Sequence, residues 1–252
     1  MSMSTLPRFA AAALACALMA GCAAPQQPDP RDPWEGFNRG VYKFNDTVDH
    51  VLIKPVATVY DTVMPDPAQE CVHNMFSNLG DVWGGINSLL QGNGVNAINS
   101  WGRFLLNTTM GLGGCIDVGS KTGARKIPND FGTTLGVWGL GQGPYLVLPI
   151  LGPSTIRDGA GLATAWFANP LWINDVRNIG LRNSLYGLDF VDTRASLLDV
   201  TNTIDRTALD PYSFVRDAYL QRRRSLVHDG QPPEPAVSES AVDDTPVSVY
   251  HP

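Results

Sequence analysis

Histidine is scarce in this chain, and the few histidines present make no metal-binding pattern. The sequence holds 4 histidines, His50, His73, His228 and His251, and none forms a His-Glu-x-x-His motif. No serine occupies a Gly-x-Ser-x-Gly elbow, and no Cys-x-x-Cys occurs. These absences remove the usual nucleophile, zinc and dithiol chemistries, so no catalytic residue, cofactor or metal is expected. Charge is also thin, at 17% of residues against about 25% in ordinary soluble domains. The net charge is -6, and the one basic run is Arg222-Arg223-Arg224. Nucleic acid is therefore excluded as a partner, because it needs a basic face to neutralise phosphates. Strand-like alternation is scarce too, which predicts a mostly helical fold.

Two glycine strings imitate nucleotide loops and fail on inspection. Residues 114–122 carry one residue too many before Lys121 for a phosphate loop, which spoils the register that aims backbone N–H groups at phosphate. Gly139-Leu140-Gly141-Gln142-Gly143 lacks the preceding strand and later acid of a dinucleotide fingerprint, and reads as flexible backbone.

The amino terminus carries more information. One early cation, Arg8, precedes an uncharged stretch from Phe9 to Ala24 that is too short to span a membrane. Ala20-Gly21-Cys22 matches a lipobox, in which the cysteine thiol receives lipid before cleavage on its amino side. The alternative is an ordinary secretory signal with a chance cysteine. Two or three acyl chains anchor stably where one, at ~0.8 kcal/mol per buried CH₂, holds marginally. Ala23 follows the cysteine where an aspartate is absent, which resembles lipoproteins sent to the outer membrane. The expected organisation is a signal peptide over 1–21, a lipidated tether over 22–31, a body over 32–228, and a disordered acidic, proline-rich tail over 229–252. Of the 4 cysteines, Cys71 and Cys115 remain after the leader and the lipid site. In an oxidising compartment they form either a disulfide, worth ~4 kcal/mol in the chain-entropy model, or two separate buried thiols.

Helix punctuation recurs through the body. Asp32-Pro33-Trp34-Glu35 offers an N-cap carboxylate and a capping box, followed by a stripe of Trp34, Phe37, Val41, Phe44, Val48 and Leu52 that should end before Pro55. Asp66-Pro67 and Asp210-Pro211 repeat the signal. Further helices are expected over 95–106, from Ser154 or Thr155, and over 185–198. Between Asp81 and Asp117 only Arg103 is charged, and between Asp130 and Arg157 nothing is. Glycine and proline interrupt both stretches, so neither is a spanning helix. Such backbone lies at membrane depth only where protein or a wet cavity faces it; a glycine-rich loop over a soluble core is the alternative.

Several of these strings, in order, carry a resemblance. Asp32-Pro33-Trp34-Glu35-Gly36-Phe37-Asn38-Arg39 with Tyr42-Lys43-Phe44-Asn45, and Asn107-Thr108-Thr109-Met110-Gly111-Leu112-Gly113-Gly114 with Asp117, closely resemble the MlaA/VacJ outer-membrane phospholipid lipoproteins. So do Asp130-Phe131-Gly132-Thr133-Thr134-Leu135-Gly136, residues 139–149, Arg157-Asp158, and Asp210-Pro211-Tyr212 with Tyr219. The resemblance implies a ring of amphipathic helices embedded in one membrane leaflet around a central channel, with no regular sheet. It also implies a function: moving misplaced phospholipid out of the outer leaflet, beside a trimeric porin, to a soluble periplasmic lipid carrier of an inner-membrane ABC system. By motif, Phe37, Asn38, Phe44 and Asn45 belong to a gating segment, and Gly139, Gly141, Gly143, Pro144 and Tyr145 to a hinge loop. Cys71 and Cys115 lie outside the family pattern. A lipid-modifying enzyme and a lipid-anchored scaffold are the competing readings. The first lacks a nucleophile and base, and the second has no use for uncharged Gly/Pro segments.

Overall fold

The computed structural model describes residues 29–168 and 177–229, so the leader, Cys22 and the tail from 230 onward lie outside the described residues. Helix α1 (Glu35–Val48) runs into a π-helical turn (Asp49–Ile53) and on into α2 (Lys54–Val63). The expected stop before Pro55 is thus corrected. Proline lacks an N–H and crowds the carbonyl one turn back, and the wider turn, in which Lys54 N–H donates to Asp49 O, lets the helix continue past it. The expected cap is corrected as well. Trp34 is the N-cap and makes no side-chain cap bond, while Asp32 is turned inward and buried.

Helix α3 (Asp66–Leu90) and α4 (Gly94–Thr109) form the most extensive helix pair among the described residues. The α4 start is capped by Asn93, whose side chain accepts from Asn96 N–H. Gly85 lets the Trp101 ring sit directly on α3, where a Cβ would collide with it. Cys71 on α3 and Cys115 beyond α4 are joined as a disulfide, with their Cα atoms 4.1 Å apart. Short helices α5 (Val118–Lys121) and α6 (Phe131–Val137) follow, the latter opened by a reciprocal capping box between Asp130 and Thr133.

The fold is mostly helical as expected, and its sheet among the described residues is one short antiparallel hairpin. Strand β1 (Tyr145–Leu148) pairs with β2 (Gly152–Thr155) in the register Tyr145 to Thr155 and Leu148 to Gly152. With only four residues a strand, Pro149 just after β1 and Pro153 inside β2, the alternation was too short to read. Helix α7 (Ile156–Ala168) begins directly after β2 and lies so close to α6 that a Cβ on Gly161 would strike the Gly132 backbone. Then come α8 (Ile179–Ser196), α9 (Leu198–Thr207) and α10 (Pro211–Val227). The long helix expected over 185–198 therefore starts earlier and breaks at Leu197.

The first and last segments meet. Residues read as the end of the tether are pinned to α10, with Arg31 3.0 Å from Asp217 and Asp29 3.2 Å from Arg216. Arg31 also donates to Asp29, and this bond holds the Asp29 carboxyl at about 2, below its usual range.

Polarity is inverted relative to a soluble domain. Apart from Ala97, the buried apolar groups among the described residues form two small clusters, Tyr145, Val147, Tyr212 and Leu220 in one and Ala57, Ala195 and Leu198 in the other. The buried polar set is larger and includes Asp32, Asn38, Asp81, Asn87, Arg103, Arg157, Asp158, Asp192, Arg216 and Arg223. Large apolar side chains point outward instead: Val51, Leu52, Val59 and Val63 along α2 and the turn before it, Val95, Ile98 and Leu105 on α4, then Met110, Leu112, Trp138, Leu140, Ile150 and Leu151. Scattered exposed apolar residues are ordinary, whereas buried charge beside a broad exposed apolar surface is informative. No helix among the described residues is long and apolar enough to cross a membrane.

Candidate functional site

Asn38 and Asn45 lie two turns apart on α1, which puts both on one face of the helix. That face meets β1. Asn38 Oδ1 accepts from Val147 N–H at 2.9 Å, and its Nδ2 donates to Tyr145 O at 3.0 Å. Asn45 repeats the arrangement, donating to Leu148 O at 2.9 Å and accepting from Ile150 N–H at 2.7 Å. A carboxamide carries the same donor and acceptor as a peptide unit, so two asparagines take the place of a third strand along an otherwise open edge. The second amide hydrogen of Asn38 goes to Asp32 Oδ1 at 2.7 Å. Asp32 also accepts from the Tyr212 hydroxyl and faces Arg216 at 3.5 Å. One buried carboxylate thus ties α1, the hairpin and α10 together.

The two asparagines expected in a gating segment are therefore brought onto the loop expected to hinge. The two phenylalanines are not. Phe44 is 52% exposed and Phe37 half-buried, so both lie outside the clamp. Within the loop, Tyr145 is wholly buried and its N–H donates to Arg31 O, while Pro144 O accepts from Ile156 N–H. Gly139 and Gly143 take positive φ, 93° and 69°, and Gly141 does not.

Behind the clamp lies a cavity of about 350 Å³. Its walls are mainly apolar, from Val48, Ile53, Val147, Ile150, Phe190 and Val215, with polar groups from Tyr42, Asn45, Asp46, Asp49, Arg194 and Asp205. Arg194 holds Asp49 as a two-bond fork, with Nε and Nη2 each 2.7 Å from a carboxylate oxygen. The cavity shares Tyr42, Asp46, His50 and Asp205 with a second one beneath Arg39 and Tyr212, so the two are contiguous. Across Thr193 it adjoins a third, lined by His73, Phe76, Trp83, Lys126 and Asp189. At the second cavity Asp210 pairs with Arg39, whose hydrogen bond keeps that carboxyl below its usual range.

Elsewhere the buried charges are fully engaged. Arg103 reaches Asp81, Asp117, Ser120 and Ala124 O, the last at 2.6 Å. Arg223 bridges Asp130 and Asp158. Sequence reading missed Arg103, Arg194 and Arg223 as structural charges. The one available signal was Arg103 standing alone in an uncharged stretch. Among the described residues no group of histidine, cysteine and carboxylates could hold a metal.

A family model described as MlaA lipoprotein matches residues 30–226. The chain belongs to the MlaA lipoprotein family. It is 36% identical over 246 residues to the intermembrane phospholipid transport system lipoprotein MlaA of Escherichia coli K12, covering 94% of this chain and 96% of that one. The Haemophilus influenzae protein of the same description is 34% identical over 230 residues, covering 87% and 90%. A solved MlaA-like structure, from work on the structural basis for maintenance of bacterial outer membrane lipid asymmetry, superposes with a TM-score of 0.66 at 36% identity. It covers 78% of this chain and 98% of that chain. The clamp, the hairpin and the cavity all fall inside the matched MlaA span.

Proposed function

We propose that this MlaA-family protein is anchored by lipid on Cys22 in the inner, periplasmic leaflet of an outer membrane. There it removes mislocalised phospholipid from the outer leaflet through its amphipathic interior. The phospholipid then passes to a soluble periplasmic carrier of an inner-membrane ABC system, with a trimeric porin alongside, and lipid asymmetry is maintained. The observation that carries this reading is the inverted polarity. An apolar exterior without a spanning helix suits a ring of helices lying in one leaflet. A charged interior lets a headgroup cross hydrocarbon without losing all its polar contacts, which would otherwise cost several kcal/mol. The family relationship supplies the cargo, phospholipid.

In this reading α1 and the hairpin form the adjustable wall, and the loop through Gly139, Gly141, Gly143, Pro144 and Tyr145 is its hinge. No bond is made or broken in the lipid. The test is the outer-leaflet phospholipid content of a strain lacking the protein, complemented with wild type or with Cys22→Ala. Deletion should raise that content, wild type should restore it, and the unlipidated variant should not. An unchanged outer leaflet after deletion defeats the proposal. Purified protein incubated with phospholipid should release no fatty acid or headgroup; sustained turnover abolished by a point substitution would make it an enzyme.

A further inference from the structure

The cavity behind the asparagine clamp holds more polar capacity than its own contacts use. Arg194 lines it with 13% of the side chain exposed, and its Nε and Nη2 are taken by Asp49. Nη1 is buried and makes no hydrogen bond. A guanidinium offers five planar donors, so one carboxylate does not exhaust it, and a buried donor without an acceptor is unfavourable. The same cavity carries carboxylates with weak partners. Asp46 has His50 at 3.2 Å, a cation only when protonated, and Asp205 has Lys54 at 3.8 Å. Their side chains are 48% and 40% exposed, and both line the cavity beside the Tyr42 ring.

We propose, building on the lipid-path reading above, that this cavity recognises a zwitterionic phospholipid headgroup, with the phosphodiester accepting from Arg194 and the ammonium lodged among Asp46, Asp205 and Tyr42. A zwitterion brings a counter-charge for each of these charged groups. Its phosphate completes the guanidinium, and its cation offsets the two carboxylates and sits against an aromatic ring. Its acyl chains meet Ile53, Val147 and Phe190. An anionic headgroup without an ammonium supplies the first contact and leaves its charge facing Asp46 and Asp205, so it binds more weakly.

Purified full-length protein in detergent is offered phosphatidylethanolamine, phosphatidylglycerol and diacylglycerol of identical acyl composition, and retained lipid is measured by mass spectrometry. Wild type should keep phosphatidylethanolamine over phosphatidylglycerol by about tenfold. The double substitution Asp46→Asn with Asp205→Asn should erase that preference while both phospholipids still exceed diacylglycerol. Arg194→Lys keeps a cation for Asp49 and removes the forked donor, so it should bring both phospholipids down towards diacylglycerol. Matching thermal melts guard against a folding defect. Equal retention of the two phospholipids by wild type, or a preference that survives the double substitution, overturns the headgroup assignment alone. Displacement by inorganic phosphate overturns it in favour of a free-phosphate site. A wild-type protein that retains no lipid of any kind overturns the lipid path as well.

Discussion

The α3–α4 half and the α1–hairpin half solve the same problem, holding polar groups inside, with different hardware. In the first, Arg103 is locked by two carboxylates, a hydroxyl and a carbonyl, Trp101 seats on Gly85, and a disulfide closes the end. In the second, neutral asparagine amides hold a short hairpin to a helix, next to a loop with two positive-φ glycines. Charged networks are strong and directional, while neutral amide bonds net about 0.5–1.5 kcal/mol each and exchange readily. The difference teaches where a lipid path could open. In the proposed function the first half serves as a frame and the second as a wall that shifts at modest cost.

The largest expected effect lies in the frame. Arg103→Met removes one of the two cations on fully buried Asp81, leaving Lys126 at 2.8 Å, and also takes the cation from Asp117 and the donor from Ala124 O, and should lower stability by about 3 kcal/mol or more in thermal or denaturant unfolding. A variant as stable as wild type would show that the network is dispensable and dissolve the contrast between the halves. Next comes the bridge. Cys71→Ser with Cys115→Ser should cost up to ~4 kcal/mol by releasing the closed loop of the unfolded chain. Non-reducing mass spectrometry of wild type should give one linked peptide pair; two alkylatable thiols would remove the bridge from the frame.

Legibility divides along the same line. Helix starts at Asp66-Pro67 and Asp210-Pro211 were readable because proline sets the first turn locally, although neither aspartate makes a side-chain cap bond. Asp32-Pro33 carried the same signal and misled, because a buried carboxylate bonded to Asn38 and Tyr212 is decided by residues far away in sequence. The hairpin was hidden by its length and prolines. Asn38 and Asn45 were picked out by resemblance, but their task needed the partner strand. Arg194 and Asp49 carry no motif at all, since an ion pair across a cavity leaves no spacing to read.

The clamp itself gives the third comparison. Asn38→Ala strands Tyr145 O, Val147 N–H and part of Asp32 in a buried place, and should cost about 1–3 kcal/mol. Asn45 is half-buried and ends on exposed Ile150, so Asn45→Ala should cost less than Asn38→Ala. Hydrogen exchange at Val147 and Ile150 reads both, with α3 and α4 amides as the reference. If exchange quickens equally in the frame, the halves are one cooperative unit and the wall does not move by itself.

The smallest effects separate two glycines in the loop proposed as a hinge. Gly143 holds φ 69°, and a side chain there would press Ile156 Cβ at 3.3 Å, so Gly143→Ala should destabilise by about 1–2 kcal/mol in the resting protein. Gly141 has ordinary φ and open space around its Cβ position, so Gly141→Val should leave resting stability within about 0.5 kcal/mol of wild type. Its effect, if the loop turns during transport, falls on the other conformation, because a β-branched residue narrows the angles the backbone can visit. The expected phenotype of Gly141→Val is therefore raised outer-leaflet phospholipid at wild-type abundance and wild-type melting temperature. Normal lipid asymmetry under those conditions would make the loop a fixed linker, leaving the asparagine clamp as the site where the wall must give.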